Sequence, residues 1–496
     1  MSKLLATKPI DQLLKESQET GEHSLRRALG PINLLTLGIG AIIGAGIFVI
    51  TGQAAAQFAG PAILYSFILA GIACAFAGLC YAEFASMIPV AGSAYTYSYA
   101  TLGELVAWII GWDLVLEYAF GAASVAVGWS GHLRAFLHDI GMALPPMPHS
   151  DFTMFGKPIH LTYDYIGFIV IWVITTILVI GIKESANFTA AVVVLKVAVV
   201  CVFIALATAF LLSHNMQPNF WHPFIPKNSG DFGTYGISGI FRGAGVVFFA
   251  YIGFDAVSTA AQEAKNPKKD MPFGILGSLV ICTVLYILVS GLLTHIVPYT
   301  QLNVPDPVVV GMRATGHQWA TFLVELGALL GLATVMLVML LGQSRVFYSM
   351  SKDGLLWPWA SKIHTRFRTP YVSSIVVGFF VAILAMLLPL SVLDQMTSVG
   401  TLLAFVLVSA GVWVMRRTHP ETPRPFRTPW VPTVPILAIL FSGALIVTLP
   451  AATQIRLVVW LIIGLVIYFS YGRKHSHVQN AIAASAPAAP ERQMAD

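Results

Sequence analysis

Long apolar runs separated by short polar segments make up most of the chain. A helix that crosses a bilayer needs about 20 consecutive apolar residues, and twelve runs of about this length follow one another. The pattern predicts an all-α polytopic membrane protein with twelve transmembrane helices. The predicted spans cover roughly residues 32–52, 61–87, 104–128, 164–182, 188–213, 235–261, 273–297, 318–348, 372–390, 394–415, 433–450 and 454–472.

The overall composition agrees with a membrane protein. Of the 496 residues, 57% are hydrophobic and only 10% are charged, whereas soluble domains contain about 25% charged residues. The cysteines Cys74, Cys80, Cys201 and Cys282 all lie inside apolar runs, so we interpret them as packed thiols rather than disulfides or metal ligands. The histidines are scattered, mostly in loops, which argues against an enzyme. We expect no metal and no cofactor.

The distribution of basic residues predicts the orientation. With the N-terminus inside, 21 of the 28 lysines and arginines fall in inner segments and five in outer segments. The other two, Lys196 and Arg242, lie within a span or at its edge. This positive-inside bias places both termini in the cytoplasm and the protein in the plasma (inner) membrane. It also accounts for the net charge of +5 without a nucleic-acid partner.

Glycines interrupt two of the spans. Residues 38–46 of the first span hold four glycines, and in the sixth span Gly253 is followed closely by Asp255. A broken helix within a membrane is tolerated only where protein or a watery cavity receives the freed backbone groups. The N–H groups at the start of a half-helix attract an anion such as a carboxylate. The alternative is close helix packing through small residues.

Interruptions at matching positions of two halves indicate an inverted repeat with a substrate site between them. We therefore expect a cytoplasmic N-terminal segment at 1–29, five-helix repeats at 30–214 and 215–417, and helices 11 and 12 within 418–474. The tail at 475–496 is rich in Ala, Pro and Ser, which predicts disorder.

Several motifs resemble the amino acid–polyamine–organocation transporters, and within them the bacterial-type, twelve-span members of the cationic amino acid transporter subfamily. The resemblance runs from about residue 25 to 430 and implies a LeuT-like 5+5 inverted repeat with discontinuous helices 1 and 6. It also implies secondary active transport without covalent chemistry. Besides the glycines of span 1, the motifs are Tyr-Ala-Glu-Phe at 81–84, Gly-Ser-Ala-Tyr at 92–95, Gly-Trp at 111–112, Leu-Glu-Tyr at 116–118, Gly-Phe-Asp-Ala at 253–256, Glu-Ala-Lys-Asn-Pro at 263–267, Arg-Val at 345–346 and Asp-Gly-Leu-Leu at 353–356.

This fold implies a site made of main-chain groups. An L-amino acid needs hydrogen-bond donors for its carboxylate and acceptors for its ammonium. The expected donors are the amides of Ile42, Ile43, Gly44, Ala45 and Gly46, in the unwound part of span 1. The expected acceptors are the carbonyls of Phe249, Ala250 and Ile252, in the unwound part of span 6. The resemblance also suggests that the Phe249 ring closes over the substrate; an ordinary packed phenylalanine is the alternative.

A single lysine, Lys196, lies about nine residues into span 5. Ionisable residues at this depth are functional candidates, and desolvation disfavours the charged ammonium, which would allow proton exchange near neutral pH. The resemblance implies that in proton-coupled relatives a lysine in span 5 takes the place of a sodium ion and contacts carbonyls of span 1. We expect proton coupling and no sodium dependence, with a structural tether or a snorkelling side chain as alternatives.

Two acids in apolar surroundings, Glu117 and Asp255, are candidates for the pocket or its gate. Either could pair with a cationic substrate, relay a proton or hold helices together. Glu83, Glu263 and Lys265, near the cytoplasmic ends of spans, are expected to form ion pairs of an inner gate.

Met339 in span 8 bears on specificity. The cationic subfamily resembles Gly-Ser-Met-Phe-Pro here, so Met339 stands where a small serine is expected and would fill the volume of a long basic side chain. We expect a proton-coupled symporter of small neutral L-amino acids such as alanine. A transporter of arginine, lysine or ornithine and an exchanger without proton coupling remain alternatives. A major-facilitator transporter is disfavoured, because a long central loop is lacking. The sequence identifies no accessory membrane subunit.

Overall fold

The structure, a computed structural model, describes residues 3–9, 13, 29–90, 92–154, 157–180, 186–261, 264–367 and 369–485. Within these ranges, eight helical stretches are long and apolar enough to cross a membrane, and three shorter apolar helices accompany them. The prediction of an all-α polytopic membrane protein is confirmed at this level. The eight stretches are Pro31–Met87, Glu104–Asp139, Ala191–Ser213, Gly236–Ser258, Pro267–Ile296, Gln318–Lys352, Leu390–Thr418 and Ala451–His475.

The α-helices are numbered in chain order. They are α1 (Pro31–Ile42), α2 (Thr51–Ala54), α3 (Ile63–Met87), α4 (Ser93–Thr101), α5 (Glu104–Val115), α6 (Gly121–Asp139), α7 (Tyr165–Ile180), α8 (Ala186–Ser213), α9 (Gly236–Val247), α10 (Ala256–Thr259), α11 (Pro267–Ile296), α12 (Pro307–Ala314), α13 (Gln318–Lys352), α14 (Tyr371–Leu387), α15 (Leu390–Thr418), α16 (Thr433–Thr448), α17 (Ala451–Ile467), α18 (Arg473–His475) and α19 (His477–Ser485).

Short helical turns of other pitch join several of these helices. Among the described residues four are π-helical, a form that is frequent at functional sites: Gly46–Ile50, Ala55–Ala59, Leu116–Phe120 and Tyr468–Gly472. The 3-10 turns are Lys3–Leu5, Gly60–Ala62, Phe248–Tyr251, Tyr299–Gln301 and Pro358–Ser361.

The loop between α6 and α7 forms a β-hairpin that the sequence analysis missed. Strands β1 (His149–Met154) and β2 (Lys157–Thr162) pair antiparallel, with His149 opposite Thr162. Phe152 and Met154 alternate with polar residues, the period-two pattern of a strand, but the run is too short to be distinguished from a polar loop.

The prediction of a disordered C-terminal tail is wrong for its first part. Residues 477–485 form helix α19, and the amide of His477 donates to the carbonyl of Asp353 at 3.1 Å. Residues 486–496 lie outside the described part of the chain. The tail folds here because it docks on the end of α13, a tertiary contact that composition does not report.

The first span packs against several other helices. Helix α1 packs against α8, α11 and α13, and the π-helical turn that continues it contacts the 3-10 turn Phe248–Tyr251. The two glycine-interrupted segments therefore meet inside the protein, surrounded by other helices.

Candidate functional site

The first span is interrupted at Ile43. Helix α1 ends at Ile42, and Ile43 is extended with φ −71° and ψ 98°. The amide of Ile43 donates to the carbonyl of Ile39 at 2.9 Å, and Ile42 lies inside helix α1. The structure therefore contradicts the expectation that these two residues offer free N–H groups. Among the described residues no acceptor pairs with the amides of Gly44 and Ala45. These two N–H groups are available donors at the break.

The sixth span is interrupted after Tyr251. The chain becomes extended at Ile252, with φ −60° and ψ 134°, and turns at Gly253, whose φ of +117° is a conformation that residues with a Cβ rarely adopt. The Phe249 carbonyl accepts the Ile252 amide at 3.2 Å. No described residue donates to the carbonyl of Ile252, which is therefore the available acceptor at this break.

The two breaks touch one another through glycines. A Cβ on Gly46 would overlap Ala250, and a Cβ on Gly253 would lie 2.9 Å from the backbone carbonyl of Ala41. Only glycine allows this approach, because the neighbouring atoms are backbone and a short side chain. The predicted donor segment and the predicted acceptor segment are thus brought side by side.

Tyr286 in α11 joins the two segments and was missed in the sequence analysis. Its hydroxyl oxygen lies 2.8 Å from the carbonyl oxygen of Ile42 and 2.9 Å from that of Ala250. A hydroxyl has one proton to donate, so these two carbonyls compete for it. The sequence does not single it out, because Ser278, Thr283, Ser290 and Thr294 also carry hydroxyls in the same apolar run.

Lys196 is fully buried and reaches the end of α1. Its Nζ donates to the carbonyl of Gly40 at 2.8 Å and to that of Ile43 at 3.2 Å. The last carbonyls of a helix lack intrahelical donors, and the ammonium satisfies two of them. Gly331 of α13 borders the lysine stem, since a Cβ there would lie 3.2 Å from Cε.

A small cavity adjoins both breaks. Met339 and Ile252 line it, whereas Phe249, Glu117 and Asp255 are not among its lining residues. The lining contains no charged side chain and consists of Ala41, Tyr118, Ile252, Gly253, Ala256, Val335, Val338 and Met339.

The two candidate acids lie together behind this cavity. Glu117 and Asp255 are fully buried, and among the described residues neither carboxylate oxygen of Glu117 has a hydrogen-bond partner. The hydroxyl of Tyr118 donates to Asp255 at 3.2 Å. Because Tyr118 also lines the cavity, the acids are one side chain away from it.

One of the expected inner-gate acids has the partners of an ion pair. Glu83, at the end of α3, accepts two bonds of 2.8 Å from the guanidinium of Arg416 and lies 3.2 Å from Nε of Arg424. Glu263 lies outside the described residues, and Lys265 is exposed.

Comparisons with known proteins identify amino acid permeases as relatives of this chain. The model of a family described as amino acid permease matches residues 29–470. The chain is 48% identical over 465 residues to the branched-chain amino acid permease BcaP of Bacillus subtilis, covering 92% of this chain and 95% of that one.

Two further relatives differ in the substrates they are named for. The methylthioribose transporter of Bacillus subtilis is 42% identical over 477 residues, covering 96% of this chain and 99% of the relative. The vacuolar cationic amino acid transporter 4 of Arabidopsis thaliana is 32% identical over 598 aligned positions, covering 97% of each chain.

Proposed function

The chain belongs to the amino acid permease family, within the amino acid–polyamine–organocation superfamily, and from this premise we propose that it is a proton-coupled symporter of L-amino acids. It is a transporter rather than an enzyme. It works in the plasma membrane by alternating access, with both termini in the cytoplasm as the positive-inside bias indicates.

We propose twelve spans in a LeuT-like 5+5 inverted repeat. The long stretch Pro31–Met87 counts as two spans that join near Gly60, where φ is +60°. The repeats cover 30–214 and 215–417, and each begins with an interrupted helix. Support comes from the two interruptions at Ile43 and Ile252, which such a repeat places on opposite sides of one site.

The observation that carries the proposal is the set of three backbone groups without partners at these breaks. The amides of Gly44 and Ala45 suit a carboxylate, and the carbonyl of Ile252 suits an ammonium. These groups bind the part that every amino acid shares. The Gly46 amide, next along the chain, is a third donor that the substrate can use.

Proton coupling is proposed for Lys196. The charged ammonium holds two carbonyls at the end of α1, and charge-assisted hydrogen bonds are about twice as strong as neutral ones. Loss of the proton to the cytoplasm weakens this contact and loosens the first break. The membrane potential adds about 2.3 kcal/mol per charge per 100 mV to inward proton movement. A lysine on these carbonyls leaves no role for sodium.

The uncharged lining of the cavity favours a neutral aliphatic side chain, and we propose small neutral substrates with alanine as the reference. The relative named for branched-chain amino acids extends the range to be tested towards valine and leucine. A basic side chain would need a partner that the lining lacks.

The test is uptake of labelled alanine by the purified protein in proteoliposomes. We expect accumulation with an inward proton gradient, none with a sodium gradient alone, and competition by neutral but not basic amino acids. Competition by arginine equal to that by alanine would support the cationic alternative. Uptake that needs internal amino acid and ignores the proton gradient would make the protein an exchanger. Competition by methylthioribose alone would refute amino acid transport.

A further inference from the structure

Gly121, the first residue of α6, supports the wall of the cavity from behind. A Cβ at this position would lie 3.0 Å from Sδ of Met339, 3.3 Å from its Cε and 3.3 Å from Cγ2 of Thr397. The thioether of Met339 therefore rests in the space that a side chain on residue 121 would occupy. Gly121 does not itself line the cavity.

This space matters because the cavity is small. Its free interior is roughly the size of one water molecule, enough for a methyl group. Any movement of the Met339 side chain towards the cavity reduces this free volume. Contacts of 3.0–3.4 Å are tighter than ordinary van der Waals contacts, so an added methyl group must push the neighbouring side chain aside.

We infer that Gly121 is a specificity-determining residue. Because it has no side chain, it leaves room for the Met339 thioether outside the cavity, and this room sets the largest aliphatic side chain that the site accepts. The inference rests on the proposed amino acid transport and names the size limit of the same site. Methionine is suited to this part, because its unbranched thioether moves easily between rotamers.

The experiment compares Gly121→Ala with wild type in proteoliposomes over the series glycine, alanine, 2-aminobutyrate, valine and leucine. For the largest substrate that wild type carries, we expect uptake relative to glycine to fall about tenfold or more, since one methylene in an apolar pocket discriminates 10- to 200-fold. Glycine uptake should stay within about twofold, because glycine has no side chain to exclude. The matched control is Gly443→Ala in α16, where a Cβ meets no atom within 4 Å; it should change neither value.

A second variant separates packing damage from a size limit. Met339→Ala in the Gly121→Ala background removes the thioether that the new methyl group displaces, so the larger substrates should be carried again. Two results would overturn the inference: an equal loss for glycine and the larger substrates, or a double variant as selective as Gly121→Ala. If wild type carries no member of the series, the proposed function itself fails, which is a different outcome from an unchanged size limit.

Discussion

The ammonium of Lys196 lies 2.8 Å from the carbonyl oxygen of Gly40, where α1 nears its end. The lysine comes from α8, so a side chain of one span completes the hydrogen bonding of another. Both partners are buried, so this hydrogen bond is shielded from bulk water. A single side chain of another span thus contacts the backbone at the first break.

Lys196→Ala should abolish uptake driven by a proton gradient, while exchange of internal for external alanine at equal pH continues at a reduced rate. The variant removes the proposed proton carrier but keeps the free amides at the break. Uptake at several external pH values measures the effect. Lys362→Ala, at an exposed loop position, is the control and should behave as wild type. Accumulation with unchanged pH dependence in Lys196→Ala would refute the coupling role.

Tyr286→Phe should weaken substrate binding more than it weakens the fold. The variant leaves the carbonyls of Ile42 and Ala250 without their shared donor, and a buried acceptor without a partner costs about 1–3 kcal/mol. We expect KM for alanine to rise about tenfold, because both carbonyls flank the breaks.

Tyr251→Phe is the matched control for this tyrosine. Its hydroxyl donates to the carbonyl of Phe67 at 2.8 Å, in the uninterrupted helix α3. Both variants should lower the melting temperature by a few degrees, but Tyr251→Phe should leave KM within about twofold. Equal KM values for the two variants would show that Tyr286 has only a structural role.

Lys196 shows what could be predicted from the sequence. An ionisable residue within an apolar run is a functional candidate, and the family resemblance implied that this lysine contacts carbonyls of span 1. Depth and residue type alone made Lys196 a candidate, and the structure places it on Gly40 and Ile43. Its coupling role stays a prediction.

The C-terminal helix shows what could not be predicted. It is anchored by Glu104, at the start of α5, whose carboxylate accepts hydrogen bonds from Tyr99, Tyr468, Ser476 and Gln479. Three of these donors lie more than 360 residues away in sequence. Composition reports local preference only, so a tail that folds by docking cannot be distinguished from a disordered one. Tyr286 escaped notice for the same reason: its two acceptors lie on distant segments.

Met339→Ser should admit basic amino acids. The smaller side chain removes the thioether from the cavity wall and adds a hydroxyl. The inhibition constant of arginine against alanine uptake should fall at least tenfold, since even one methylene of pocket space is worth about tenfold or more. Competition assays measure it. Met336→Ser, which also truncates a buried methionine of α13 but lies outside the cavity lining, should lower stability without a change in arginine inhibition. Similar arginine inhibition in both variants would contradict a pocket role for Met339.

Glu83→Gln should destabilise the protein strongly. The carboxylate is almost fully buried and offsets the charges of Arg416 and Arg424, and breaking a buried pair from one side costs about 3–5 kcal/mol. Asp139→Asn is the matched control, because Asp139 pairs with Arg313 on the surface, where the side chains are 36% and 48% exposed. Such a pair contributes only about 0–1 kcal/mol. Thermal melting of both variants in the same detergent should show a large shift for Glu83→Gln and almost none for Asp139→Asn. Equal shifts would mean that the Glu83 cluster is not held together by charge.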